Sequence, residues 1–514
     1  MSKTIIIIGA GLAGLSAALQ AAENGCNVKL VSSLPSERAQ SVMAEGGINA
    51  ALNTKDENDS PEEHFTDTIK AACGLADPNA VWGMTQAAPE LVHWLLKLGV
   101  KFNMSGYDDV DLRNFGGQKK KRTAFAQSDT GKQIMTAMID AVRRKEASGM
   151  VERFSHHSFL TLRLCDNICC GCVIRDECSQ ETVELPGDAV IVATGGMHGL
   201  FGNTTGSLSN TGEVTAELFR LGVPLANGEM IQYHPTTVKC GGKRMLISEA
   251  ARGEGGRLFA MKDGKQWYFM EEKYPELGNL MPRDITAREI WKVSHESEVF
   301  LDMTEISEEI ISNKLSGLAD DCMTYLHKDI RKEPVSVLPG IHYFMGGILV
   351  DEQHRTPIQN LYAAGECCAQ YHGANRLGGN SLLGALYGGR VAAKSACEQA
   401  DVVDLSCATQ IDFPPASQIS EIKQLNKVMQ ETMGVVRNEN TLLNGIQTVQ
   451  ALTGNLPLLG MAVLKSALAR KESRGAHWRE DYPKSNDNDY LKTTVARFDG
   501  KQIQISFVPV PERR

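Results

Sequence analysis

No apolar run in this chain approaches the roughly 20 residues that cross a bilayer as a helix, and the Ile5 to Ile8 run is far too short. An excess of positive charge is also missing. With 53 Lys and Arg against 62 Asp and Glu the net charge is -9, which excludes a general basic face for nucleic acid. Metal and haem signatures are missing too. The CxxC at Cys169 to Cys172 is followed by Val173, so it is not a haem-attachment site, and it has no second pair to complete a zinc set. No cysteine run is spaced for an iron–sulfur cluster. The 13 cysteines are odd in number and scattered, which suits a reducing compartment better than a disulfide framework. The first residues leave no room for a secretory leader, since an apolar β-type run begins within four positions; the expected location is cytoplasmic. Repeats and low-complexity segments are likewise missing.

What is present is an ordinary globular composition, 42% hydrophobic and 22% charged, in 514 residues, enough for about three folding units. Lys3 to Ile8 reads as a strand, and Gly9, Gly11 and Gly14 follow in the order GxGxxG. An alanine-rich helical pattern then runs from Leu15 to Ala22, and a second strand from Asn27 to Val31. In this βαβ context Gly9 makes the tight turn, Gly11 admits a pyrophosphate close to the backbone, and Gly14 lets the helix pack on the strand. The acid that usually ends the second strand is replaced by Ser32 and Ser33, which weakens any case for NAD. Asp188 to Gly196 (DAVIVATGG), with Thr194 and Gly195, and Asn360 to Glu366 (NLYAAGE) are short apolar strands ending in small residues. They suggest one nucleotide-binding sheet interrupted by a long insertion. Glu366 is of the right type to take over the missing ribose contact. Thr161 to Cys165 and Cys172 to Asp176 read as strands around a turn at Asp166 and Asn167.

The residues Gly9 to Gly14, Arg38 to Gly47 (RAQSVMAEGG), Gln232 to Thr236 (QYHPT), Ser248 to Gly256 (SEAARGEGG), Pro282 to Asp284 (PRD), His342 to Gly347 (HYFMGG), His372 to Leu382 (HGANRLGGNSL) and Arg474 to Pro483 (RGAHWREDYP) occur in one order. Together they resemble the flavoprotein subunit of fumarate reductase and succinate dehydrogenase, to about residue 494. L-aspartate oxidase is the close competitor; Ala476 and Arg479-Glu480 look like the reductase and dehydrogenase version. The resemblance implies an α/β fold, with a Rossmann-like FAD-binding domain, an inserted α+β capping domain and a C-terminal helical domain. The corresponding boundaries are 1–229 and 346–413 for the FAD-binding domain, 230–345 for the cap, 414–483 for the helical domain and 484–514 for a C-terminal tail. Phe413-Pro414-Pro415 marks the break, Glu421 to Met433 has helical periodicity, and Glu305 to Lys328 reads as a charged helical stretch.

The implied cofactor is FAD, with contacts from Gly9, Gly11, Gly14, Ser32, Gln40, Ser41, Gly46, Gly47, Thr194, Gly195, Glu366, Asn380, Ser381 and Leu382. In many relatives a histidine in the segment matching Arg38 to Gly47 carries the flavin covalently. Gln40 stands there, so the FAD is expected to be noncovalent, with a lower potential that favours delivering electrons to fumarate. Burying a dicarboxylate demands cations or donors around it. The motifs supply His234, Ser248, His342 and Arg376, with arginine offering a planar fork matched to a carboxylate. The resemblance places the proton donor at Arg283, with Glu249 and Arg252 as a relay; these two are three apart, on one face if the stretch is helical. Arginine is an unusual acid, since its pKa normally keeps it charged. The bland alternative makes Arg252 and Glu254 a surface ion pair. No second dinucleotide fingerprint supplies electrons internally. The resemblance implies that, beyond fumarate and succinate, the partners are an iron–sulfur subunit and a membrane anchor or other donor subunit, holding the chain at the inner face of the cell membrane.

Overall fold

The structure is a computed structural model that describes residues 2–106, 109–402, 411, 413 and 418–514; the prolines at 414 and 415 lie outside the described residues. β1 (Thr4–Ile8) is a run of β-branched residues whose four isoleucines are all buried. It runs through the middle of a parallel sheet covered on both faces, which is why it shows no polar alternation. The sheet order is Leu361–Ala363, Ala189–Val192, β1, β2 (Asn27–Ser32), Val151–Ser155, and every pairing is parallel. The two apolar pieces, remote from each other in the chain, thus lie side by side, with Ala189–Val192 between β1 and Leu361–Ala363.

α1 (Leu12–Glu23) leaves β1 through the glycine turn and buries ten of its residues. Gly9 has φ +110°, and a Cβ there would sit 2.2 Å from Ala193 O; a Cβ on Gly14 would sit 1.8 Å from Gly9 O. Only glycine permits this approach of helix to strand. The helix Asn380–Gln399 packs beside α1, where Ser16 Oγ donates to Leu386 O at 2.7 Å.

On the other face lies the hairpin His157–Cys165 and Ile168–Asp176, extended by Thr182–Pro186. Asp166 and Asn167 both have positive φ, +47° and +67°, the two-residue turn that matches strand twist. Cys169 and Cys172 are free thiols in the apolar layer with Ile6, Ile8 and Val31. Burial pushes the Cys169 thiol up to about 12, consistent with an inert packing role.

Between residues 230 and 345 the chain builds an antiparallel sheet of Lys243–Leu246, Ile231–Cys240 and Leu338–Phe344, and a four-stranded sheet around Arg257–Lys262. The charged stretch from Glu305 is broken into helices Glu308–Lys314 and Ser316–Asp321 and a π turn at Cys322–Leu326. From residue 419 come helices Ile419–Thr432, Glu439–Val449 and Asn455–Ala469, joined by an apolar cluster containing Leu425, Met429, Leu459 and Val463. The segment expected as a tail, β-like at Gln502 to Val508, forms the hairpin Lys492–Phe498 and Ile503–Pro509. It pairs with Leu225–Ala226 and so joins a five-stranded sheet. Val495 and Ala496 point inward and are buried, a pattern too short to stand out among the polar residues around it.

Candidate active site

A cavity of about 520 Å³ runs from the C-terminal ends of the parallel strands to the inserted segment. That is within the range of cofactor sites, which favour this edge of an open α/β sheet. Of the expected cofactor residues, Gly9, Gly11, Ser32, Gln40, Ser41, Gly46, Gly47, Thr194, Gly195, Glu366, Ser381 and Leu382 line it. Gly14 does not, because it is spent on the contact with Gly9. Asn380 does not either: its amide is taken up by Asn49 (2.7 Å), Thr68 (3.0 Å) and His64 (2.9 Å) in a buried network.

The residues present fit a dinucleotide. Gly11, the N-cap of α1, offers no side-chain cap and the first turn has no acid; apart from Leu12 N–H, which reaches Ser41 Oγ at 3.4 Å, the first-turn N–H groups are left for an anion. Ser32 Oγ, buried at the end of β2 on the cavity wall, has no hydrogen-bond partner, as expected of a hydroxyl waiting for a ligand. Glu366 Oε1 accepts from the Phe344 N–H at 3.0 Å, so the carboxylate is held in place at the cavity.

Toward the inserted segment the cavity meets His234, Ser248, Glu249, Arg283, His342 and Arg376. His234 lies in strand Ile231–Cys240, whose register slips between His234 and Thr237; Pro235 has no N–H for the ladder and the strand bulges there. The rings of His234 and His342, on paired strands, are 5.1 Å apart. Arg283 is the first residue of helix Arg283–Val293. Its Nε and Nη2 donate to Glu249 Oε2 at 2.7 and 2.5 Å, and its Nη1 donates to Gln232 Oε1 at 3.1 Å. Glu249 opens the short helix Glu249–Gly253, where Ser248 Oγ accepts from the Ala250 N–H. That helix brings Arg252 Nη2 to 3.4 Å from Glu249 Oε1. Arg252 does not line the cavity. It is buried behind Glu249 and donates to Asn279 O at 2.6 Å. The surface pair of Arg252 and Glu254 does not form; Glu254 meets Lys314 instead.

Burial, together with the cations Arg283 and Arg252, holds His234 well below its ordinary value. Burial, His234 and Arg283 do the same to His342. Both rings are therefore neutral at pH 7, and the fixed positive charge at the cavity comes from guanidinium groups. Burial and Arg283 push Arg376 down to about 9. Its Cζ lies 4.3 Å from the Tyr343 ring centroid and its buried Nε has no partner, leaving a donor for an incoming acceptor. Burial raises Glu249, but Arg283 and Arg252 outweigh it and keep the carboxyl below its usual range.

Several wall residues were not singled out from the sequence. Tyr343 lies inside a motif, so its presence was a signal, as does Gln232, which stands behind the wall and holds Arg283. Thr205, whose Oγ1 is 2.8 Å from His342 Nδ1, carried none. Glu45 was adjacent to the named Gly46; burial and Asp321 push its carboxyl up to about 8. Asp321 and Tyr325 reach the cavity from the broken charged stretch.

A family profile described as an FAD binding domain matches residues 4–382, and one described as fumarate reductase flavoprotein C-term matches residues 452–513. The chain is 38% identical to the succinate dehydrogenase flavoprotein subunit of Bacillus subtilis, covering 100% of this chain and 98% of the relative. It is 32% identical to the 8-methylmenaquinol:fumarate reductase flavoprotein subunit of Wolinella succinogenes, covering 100% and 92%. A solved E. coli quinol fumarate reductase chain superposes with a TM-score of 0.90 at 27% identity, covering 99% of this chain and 97% of that one. No described helix is long and apolar enough to cross a membrane. With its α/β FAD-binding fold and this cavity, the chain belongs to the succinate dehydrogenase and fumarate reductase flavoprotein subunit family and is an FAD-dependent oxidoreductase.

Proposed function

We propose that this chain reduces fumarate to succinate with Arg283 as proton donor. The supporting observation is the unbroken series Arg283, Glu249 and Arg252, which leads from the cavity wall into the interior through contacts of 2.5 and 3.4 Å. When bound, FAD supplies the hydride equivalent for one olefinic carbon. At the other carbon a guanidinium N–H of Arg283 gives up a proton; the Glu249 carboxylate, ionised at rest, takes a proton from Arg252 and passes it to Arg283, and Arg252 is reprotonated from solvent. Gln232 and Glu249 fix the plane of the Arg283 guanidinium, so one direction of approach is set. Arg376 offers charge and an unpaired N–H to a carboxylate, while His234, His342 and Ser248 act as neutral hydrogen-bonding groups. These roles also keep two buried substrate charges from going unpaired.

Direction rests on Gln40, which lines the cavity and whose amide cannot form the histidyl link to flavin. The FAD is accordingly noncovalent, and the lower potential favours the reductase direction. A second reading, succinate oxidation, is favoured by the 38% identity to a chain named succinate dehydrogenase. Electrons would be exchanged with an iron–sulfur partner, as suits a chain whose relatives are named flavoprotein subunits, and an anchor subunit would hold the complex at the cytoplasmic face of a membrane.

The test is an assay of the purified chain with reduced viologen and fumarate, beside succinate with an artificial acceptor and aerobic aspartate with peroxide detection. Arg283→Gln is expected to lower fumarate turnover by about 10²–10⁴-fold with flavin absorbance retained. Near-wild-type turnover would dismiss the proton donor, and peroxide from aspartate would favour the oxidase. Acid precipitation should leave the yellow colour in the supernatant; colour in the pellet would contradict a noncovalent cofactor.

A further inference from the structure

Far from the active-site arginines, Cys26 and Cys397 are free thiols whose Sγ atoms lie 2.8 Å apart although 371 residues separate them in the chain. We propose that they form a reversible disulfide site that fastens the end of the helix Asn380–Gln399 to the start of β2. Both sulfurs are held by rigid backbone. Cys26 follows the turn that ends α1, where Gly25 has φ +78° and the Cys26 N–H donates to Ala21 O at 3.0 Å. Cys397 sits in the last turn of its helix, and its carbonyl accepts from Lys3 Nζ at 2.8 Å. The two helices are locked together between these points, since a Cβ on Gly389 would lie 2.3 Å from Ala13 O. Little backbone movement separates the thiol pair from a bond, which is the geometric condition most cysteine pairs fail.

Cys26 is buried and Cys397 half-buried, so a small oxidant has access through Cys397. With a disulfide such as oxidised glutathione as co-reactant, one protein thiolate attacks it, forming a mixed disulfide and releasing one glutathione thiol. The second protein thiolate then displaces the other, so two thiols become one disulfide and the oxidant gains two electrons and two protons. Burial and the adjacent Cys26 sulfur raise the Cys397 thiol above its ordinary value, so thiolate is scarce and exchange slow near pH 7; the proximity of the second sulfur, which Cys169 lacks, is what favours the bond, and its formation accelerates with alkaline pH. The bond ties two elements whose other ends carry Ser32, Ser381 and Leu382 of the cavity wall. Because it closes a very long loop, it restricts the unfolded chain strongly.

The experiment treats the full chain with oxidised glutathione at pH 8 under denaturant-free conditions, then blocks remaining thiols and maps peptides. The expected result is a linked peptide pair containing Cys26 and Cys397, reversed by dithiothreitol, with a rise of several degrees in Tm that Cys397→Ser and Cys26→Ala each abolish. A map in which both cysteines remain alkylatable after prolonged oxidation overturns the site, whatever the variants do. So does an equal Tm rise in Cys397→Ser, which would place the relevant oxidation at another thiol.

Discussion

If the proposed function holds, Arg376 supplies the substrate with charge that the histidines at the cavity, being neutral, do not. Its guanidinium is buried, repelled by Arg283 and displaced to about 9, so it begins to lose charge within an accessible pH range. The protonated form is the one that attracts a dicarboxylate. KM for fumarate is therefore expected to stay flat from pH 7 to 9 and to rise above pH 9, by up to about tenfold per pH unit, since one group titrates. A KM independent of pH up to 10.5 would contradict this role. Arg376→Lys keeps a charge but loses the planar contact on Tyr343 and the second N–H direction; it should raise KM more than it lowers kcat, as steady-state kinetics would reveal. Residues of this kind were legible by type inside the motifs. Their protonation states were not, because those depend on which charges lie within a few ångströms.

At the scale of elements, the glycine turn and α1 were readable from local signals: β-branched residues, glycine spacing and an alanine-rich helix. The structure supplies the reason Gly14 matters, and it is packing instead of ligand contact. Gly14→Ala forces a methyl to within 1.8 Å of Gly9 O, so α1 must move off β1 and carry its N-terminus away from the cavity. FAD bound per chain after gel filtration should fall at least tenfold, and retention at wild-type stoichiometry would refute the packing argument. The Asp166-Asn167 hairpin was equally local, since these residues tolerate left-handed backbone. The charged stretch from Glu305 was not readable in detail. Its helical content was visible, but the break before Ser316 and the approach of Asp321 to Glu45 depend on what the segment packs against.

At the scale of the whole molecule, six buried histidines among the described residues are held below their ordinary value chiefly by desolvation: His64 (to about 3), His354 (to about 4), His234, His342, His372 and His477. In the unfolded chain each takes up a proton near pH 6.5, while in the folded chain it does not. Stability is therefore full above pH 6.5 and is lost as pH falls toward the folded values, by roughly 1.4 kcal/mol per pH unit for each histidine in that window. Tm should drop steeply between pH 6.5 and 5; an unchanged Tm over that interval would contradict the burial. The C-terminal hairpin is a second global feature. Arg470 donates to Lys492 O and Thr494 Oγ1, both at 2.7 Å, and is paired with Glu229 and Glu472 in the interior. Ending the chain before residue 492 strips these acceptors from a buried guanidinium and uncovers the edge of Leu225–Ala226. The shortened chain is expected to be insoluble or to unfold at least 10 °C lower, as thermal denaturation would measure.

Composition, the βαβ glycine spacing and the ordered motifs were enough to specify a flavin-binding α/β chain and to nominate Arg283, Glu249, His234 and Arg376, because each of those signals is local or borrowed from a lineage of similar motifs. The cavity itself came only with folding. Segments around positions 45, 115, 234, 249, 283, 342 and 376 converge on it from several sheets and helices. The sign and strength of the charges there, the retreat of Asn380 and Gly14 from the wall, and the meeting of Cys26 with Cys397 all follow from distances between residues remote in the chain, which no periodicity records.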